Sequence, residues 1–183
     1  MRARLAALAL LVACSENSNT PMSPTEVGPQ FAIVTTVNPA NAPSGAHFAA
    51  GTSSSCAVAS LTVTCNAYEL AGLGNTNADA VLALNFSATV TCTNHGGQLV
   101  EVKTQFPTTT FARNNLRTKN GRLTVPQLTN SGEVPSDNDF ERQANCPNGN
   151  WTKHLVPGSI SFTFAYSLTF AGFASPFILI TGP

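Results

Sequence analysis

Residues 77–94, NADAVLALNFSATVTCTN, carry the clearest secondary-structure signal in the chain. Apolar side chains alternate with small or polar ones over the eleven residues from Leu82 to Cys92. A period of two is typical of a β-strand with one face buried and the other toward solvent. The predicted buried face comprises Leu82, Leu84, Phe86, Ala88, Val90 and Cys92, and the opposite face comprises Ala83, Asn85, Ser87, Thr89 and Thr91.

Other segments of the chain have the same alternation. Residues 160–170 place Phe and Leu side chains on one face and Ser, Thr and Ala on the other, and residues 61–67 place Val63 and Cys65 on one face. Both segments are therefore predicted to be half-buried strands. Weaker candidates for strands are residues 31–37, 98–106, 122–128, 151–156 and 176–180.

Composition and turn signals favour the same fold class. Only 10% of the residues are charged, whereas solvent-facing helices normally carry many Glu and Lys side chains. The pair Asn120-Gly121 is typical of a type I′ hairpin, residues 74–77 and 95–98 are further turn signals, and no segment has a convincing 3.6-residue period. The sequence predicts an all-β fold: an antiparallel β-sandwich of about seven to nine strands, immunoglobulin-like or Greek-key, with a closed barrel as the alternative.

The N-terminus, MRARLAALALLVAC, has the pattern of an export signal. Arg2 and Arg4 precede nine apolar residues, too few to cross a bilayer core as a helix. The four residues Leu11-Val12-Ala13-Cys14 resemble the lipobox of bacterial lipoproteins, in which the cysteine sulfur takes a diacylglycerol and the peptide is cut before it. The resemblance covers the first 14 residues and implies a signal peptide over residues 1–13 and an acylated membrane anchor at Cys14. An ordinary secretory signal or a buried N-terminal strand is the alternative.

Residues 15–30 have no hydrophobic period and contain three prolines. We expect the segment 14–30 to be a disordered tether about 25 Å from end to end, with an ordered arm on the domain as the alternative. Residues 31–183 are then predicted to form a single β-sandwich domain.

The cysteines predict two disulfides. If Cys14 is the anchor, an even set remains, and an exported chain without a C-x-x-C pair favours disulfides over a metal site. Three pairings of Cys56, Cys65, Cys92 and Cys146 are open. We favour Cys56–Cys65, which closes a hairpin-sized loop, and Cys92–Cys146, which joins a strand end to a long loop.

The richest acidic segment is SGEVPSDNDFERQAN, residues 131–145. Its carboxylates could offer oxygens to calcium, but the EF-hand spacing is missing, and a solvated polar loop is the simpler interpretation. If a ligand site exists, we expect it on the loop 130–150 beside the indole of Trp151. The candidate ligand-binding residues are Glu133, Asp137, Asp139 and Trp151, with no metal and no cofactor.

Several classes of function are disfavoured. Without Arg2 and Arg4 the chain has seven basic and nine acidic side chains, a formal net charge of −2, and no basic stripe that would indicate nucleic-acid binding. The histidines His47, His95 and His154 lie in separate segments with no metal-ligand spacing. We therefore predict no catalytic residue and a protein that is not an enzyme.

The predicted function is a lipid-anchored binding or scaffolding module of the cell envelope, facing the periplasm or the cell surface, with a protein or glycan ligand. The stretches CTNHGG and CPNGNW are similar to motifs in exported bacterial proteins that have no assigned activity, a resemblance spanning roughly residues 60 to 170. The alternatives are a carbohydrate-binding module using Trp151, or a pilin-like subunit that donates FAIVTTV (31–37) or PFILITGP (176–183) to a neighbour's sheet. A hydrolase is the least favoured.

Overall fold

The computed structural model describes residues 32–106 and 109–183. They belong to one compact unit, Phe31–Pro183. These described residues form thirteen strands in three antiparallel sheets, one α-helix and one short 3-10 helix, so the prediction of an all-β antiparallel fold is confirmed. The predicted signal peptide (1–13), the anchor Cys14 and the predicted tether (14–30) lie outside the described residues.

The elements have the following bounds. The first strands are β1 Val34–Val37, β2 His47–Phe48, β3 Cys56–Ala59, β4 Thr62–Cys65, β5 Tyr68–Ala71 and β6 Ala78–Thr93. The later strands are β7 Leu99–Phe106, β8 Thr110–Leu116, β9 Leu123–Val125, β10 Leu128–Ser131, β11 Thr152–Leu155, β12 Ser161–Phe170 and β13 Ile178–Gly182. The 3-10 helix is Pro39–Asn41, and the α-helix α1 is Asp137–Gln143.

Strand β6 is the centre of the seven-stranded sheet, which we call sheet 1. Its side chains alternate between the two faces as predicted, with Leu82, Leu84, Phe86 and Val90 fully buried. Along one side of β6, β12 pairs with the first half of the strand and β11 with the second half. Along the other side, β8 pairs with the first half and β7 with the second half. Because β13 and β1 follow β12, sheet 1 is five strands wide across the first half of β6 and three strands wide across the second half.

The second layer consists of two three-stranded sheets, β10-β4-β3 and β2-β5-β9. The two sheets lie end to end, because β5 and β9 continue the pairing register of β4 and β10 beyond a short break. Cys65 is opposite Leu128 before the break, and Tyr68 is opposite Val125 after it. The break coincides with Pro126, which has no N–H to donate to a ladder. The predicted strand 122–128 is therefore two strands, and interruptions of this kind raise the number of strands above the predicted seven to nine.

The main hydrophobic core lies between sheet 1 and this second layer. It combines Leu82 and Tyr166 of sheet 1 with Val63, Leu70 and Leu123 of the second layer. The hydroxyls of Tyr68 and Tyr166 meet across it in a buried hydrogen bond of 2.7 Å. Two layers of β-sheet around one core make a β-sandwich.

A smaller core lies at the other end of β6, where α1 covers sheet 1. Phe140 of α1 is fully buried against Phe86, Ala88 and Val90 of β6. The segment 130–150 was predicted to be a long loop, and this was wrong over residues 137–143, which form α1. A helix of seven residues with one buried apolar side chain has too little periodicity to be seen in the sequence.

Both favoured disulfides are present. Cys56 and Cys65 are directly opposite each other on β3 and β4, with a Cα–Cα distance of 4.0 Å. Cys92 and Cys146 join the end of β6 to the segment after α1, with a Cα–Cα distance of 5.8 Å. Of the helices described, none is long and apolar enough to cross a membrane.

Candidate binding loop

A five-residue loop, Gly132 to Ser136, connects β10 to α1, and we call it the 132–136 loop. At its start the Gly132 N–H donates to the carbonyl of Leu61 at 2.9 Å. At its end Ser136 is the N-cap of α1, and its side chain accepts a hydrogen bond from the Asp139 N–H in a capping box. Fixation at both ends gives the loop a defined position.

Glycine at position 132 allows the loop to lie directly on the small core. A Cβ at Gly132 would be 2.8 Å from the ring of Phe86, closer than real Cβ contacts. The two following side chains, Glu133 and Val134, are exposed, and Val134 has 41% of its surface accessible. Beside them is a cleft of about 450 Å³, lined by Phe86, Phe106, Thr109, Glu133, Val134, Pro135, Ser136 and Asp139.

The carboxylate of Asp139 has a structural role in this site. One oxygen accepts hydrogen bonds from the Ser136 hydroxyl at 2.7 Å and the Ser136 N–H at 3.0 Å, and the other contacts the Arg142 guanidinium. Hydrogen bonding by Ser136, aided by Arg142, lowers the pKa of Asp139. Asp139 is therefore ionised at neutral pH and stabilises the start of α1.

The structure brings together two of the four predicted ligand residues. Glu133 and Asp139 line the same cleft. Asp137 is exposed on the first turn of α1, and Trp151 is partly buried just before β11, both outside the residues that line this cleft. Of the two carboxylates that line the cleft, Asp139 belongs to the capping box of α1 and Glu133 does not.

A second cleft, of about 760 Å³, lies on sheet 1 and was missed by the sequence reasoning. The outward-facing side chains that line it are small and uncharged, among them Ala83 of β6, Thr163 and Ala165 of β12, and Thr181 of β13. The signal was the run of Ala, Ser and Thr on the outward positions of β6 and β12. We interpreted it only as a solvent-facing strand surface.

The side chains that could act as catalytic groups or metal ligands lie in separate parts of the described structure. His47 is exposed on β2, His95 in the turn after β6, and His154 on β11. Within residues 32–106 and 109–183, no three His, Cys, Asp or Glu side chains are grouped as metal ligands. On the surface, Arg122, the residue before β9, forms an ion pair with Glu69 of β5.

No protein-family model, no curated protein and no solved structure matches the chain.

Proposed function

We propose that the chain is a lipid-anchored, non-enzymatic binding protein of the cell envelope that contacts its partner through the 132–136 loop. The observation that supports this is the exposed pair Glu133 and Val134, held beside the cleft on a loop that is fixed at both ends. Rigid loops bind with a smaller loss of conformational entropy than flexible ones. A carboxylate next to an apolar side chain suits a protein segment that presents a basic residue beside an apolar one.

The lipid anchor is the part of the proposal that rests on the sequence alone. Leu11-Val12-Ala13-Cys14 follows an apolar run flanked by arginines, as in bacterial lipoproteins. Each buried methylene of an acyl chain contributes about 0.8 kcal/mol to membrane affinity, so two or three chains hold a protein firmly. Cys14→Ser should move the protein from the detergent phase to the aqueous phase in phase partitioning. Equal partitioning of the variant and the parent, with the N-terminus intact, would contradict the anchor.

The binding loop can be tested by site-specific photo-crosslinking in intact envelopes. A benzophenone amino acid in place of Val134 should give defined crosslinked products. The matched control is the same replacement of Thr124, which is exposed on β9 of the second layer and does not line the cleft. We expect the products from position 134 to disappear in a chain that also carries Glu133→Gln, and to persist with Gln127→Glu as a charge-changing control.

Two outcomes would overturn the proposed function. Equal crosslinking from positions 134 and 124 would remove the loop as the binding surface. Turnover of an ester or a glycan by the purified chain would show an enzyme. The carbohydrate-binding alternative predicts that soluble glycans quench the fluorescence of Trp151, the one tryptophan of the sequence.

A further inference from the structure

Strand β1 is an edge strand of sheet 1 whose outer side has no partner among the described residues. Among the described strands it pairs with β13 alone, and all four of its residues are exposed. Residues 32–46 and 171–183 contain no charged side chain. Natural sheet edges normally carry Lys, Pro or a bulge that prevents pairing with another chain, and β1, with the sequence VTTV, has none of these.

The hydrogen bonds at the end of β1 show which backbone groups point outward. The Asn38 N–H donates to the carbonyl of Phe177 at 2.8 Å, on the β13 side. Successive residues of an antiparallel strand alternate between the two neighbours, so Thr36 and Val34 also bond toward β13. The N–H and C=O groups of Ile33, Thr35 and Val37 therefore point to the open side.

We propose that two copies of this chain pair antiparallel through β1, about a two-fold axis at Thr35. Thr35 then exchanges two hydrogen bonds with Thr35 of the second copy. Ile33 pairs with Val37 of the second copy, and Val37 with Ile33. In this register every outward-pointing donor and acceptor from Ile33 to Val37 has a partner, and sheet 1 continues into the second copy.

The side chains fit the same register. Ile33 and Val37, 40% and 41% exposed, lie on the inner face of sheet 1, where a Cβ at Gly182 would be 3.0 Å from Ile33. They would cover each other in the pair, and Val34, 54% exposed, would lie opposite Thr36 on the outer face. No like charges oppose each other, because the edge carries no charged side chain.

The area of contact sets the strength of this dimer. A five-residue edge buries less than the roughly 1,200 Å² of a stable protein–protein interface. The dimer is therefore weak in dilute solution and depends on a high local concentration. Anchoring of both copies in one membrane would supply that concentration, a consequence that rests on the proposed anchor.

Disulfide trapping tests the register in a chain carrying Cys14→Ser, which has no unpaired native cysteine. Val34 and Thr36 of the second copy form a non-hydrogen-bonded pair with a Cα–Cα distance of about 4.5 Å. Cys56 and Cys65 bridge such a pair within this molecule, at 4.0 Å. A mixture of the Val34→Cys and Thr36→Cys chains should therefore form the mixed dimer severalfold faster than either chain forms its own dimer.

Sedimentation of the same unanchored chain at high concentration supplies the matched charge test. Thr35→Lys places two like charges directly opposite each other and should raise the dissociation constant about tenfold. Thr36→Lys places the charge opposite Val34 and should have a much smaller effect, with circular dichroism confirming that both variants fold. Absence of a dimer at high concentration, equal effects of the two lysines, or no preference for the mixed disulfide would each overturn the proposal. The result is independent of lipidation, because the anchor cysteine has been removed.

Discussion

The two halves of β6 are covered in different ways. Across the first half, the second layer of β-sheet covers sheet 1, and twenty buried described residues form the core there. Across the second half, the two-turn helix α1 covers the sheet, and the corresponding core has five. One long strand therefore contributes to two cores of very unequal size, and we call these two regions the sandwich end and the helical end.

The helical end compensates for its small core with specific connections. The Cys92–Cys146 disulfide attaches the segment after α1 to β6. The Glu141 carboxylate accepts a hydrogen bond from the Leu155 N–H at 3.0 Å, and the Lys153 ammonium donates to the Ala144 carbonyl at 2.7 Å. We infer that the sandwich end is held mainly by apolar burial, and the helical end mainly by a cross-link and individual polar contacts.

The largest expected effect separates the two ends. Phe140→Ala should reduce the free energy of unfolding by about 3–5 kcal/mol, because it empties the centre of the small core. Hydrogen exchange should accelerate in α1 and β11 while β4 and β5 stay protected. Leu70→Ala in the sandwich end is the control and should accelerate exchange throughout. A uniform loss of protection with Phe140→Ala would show that the two ends form one cooperative unit.

The two disulfides should contribute unequally to the free energy of unfolding. In the chain-entropy model, removing Cys92–Cys146, which closes 54 residues, costs about 4 kcal/mol, and removing Cys56–Cys65, which closes 9, costs about 2.5 kcal/mol. We would measure this by urea denaturation of the two double Cys→Ala variants. An equal or reversed order would show that the cross-link contributes little to holding the helical end.

The hydrogen bond between Tyr68 and Tyr166 is a buried polar contact in the core of the sandwich end, and its contribution to stability can be measured. Tyr68→Phe should destabilise the protein by about 1–3 kcal/mol, because the buried Tyr166 hydroxyl loses its partner, and the double variant with Tyr166→Phe should recover part of this. Burial raises the pKa of Tyr166 to about 12, and the pKa of Tyr68 is raised still further. Because the folded-state pKa values are raised, this contribution is present below the unfolded value near pH 10 and is lost as the pH rises toward 12. The double Phe variant should lose less stability than the parent between about pH 10 and pH 12. An equal loss in the two proteins would contradict the assignment of this pH dependence to the tyrosine pair.

The smallest effect concerns the cap of α1. Ser136→Ala should reduce the free energy of unfolding by about 1 kcal/mol through loss of the N-cap hydrogen bond. The pKa of Asp139 is lowered in the folded state, so its contribution is present above the unfolded-state pKa and is lost as the pH falls through the folded-state value. Acid denaturation should therefore be flatter in Asp139→Asn than in the parent. An unchanged acid transition would show that the capping box does not support the helical end.

The sandwich end was the more predictable of the two. The alternation from Leu82 to Cys92 is visible because every second side chain is buried over the length of the strand. The same alternation put Cys65 and Cys92 on buried faces, and the positions of the cysteines along the chain favoured the two disulfides that the structure contains. Strand β8, TFARNNL, was missed because its exposed and partly buried positions do not alternate in polarity.

The helical end and its cleft were harder to predict. The fold of α1 depends on Phe140 finding a space on β6, a tertiary contact that leaves no periodic signal over seven residues. The positions of Glu133 and Asp139 on one cleft follow from that packing, and so does the separation of Asp137 and Trp151 from it. The sequence named two residues that line this cleft, Glu133 and Asp139, but not the packing that brings them together.

The pairing of β1 with β13 has a consequence for the order in which the chain can fold. Val34 lies opposite Thr181, so the first strand of sheet 1 has its neighbour only when the last strand is available. Strand β6 likewise pairs with β12, with Ser87 opposite Ser161. Since a ribosome or a translocation pore delivers the chain from its N-terminus, no leading portion can complete sheet 1. Strand β1 can therefore pair only after β13 has been delivered, and sheet 1 can form in full only after residues 178–182 have emerged.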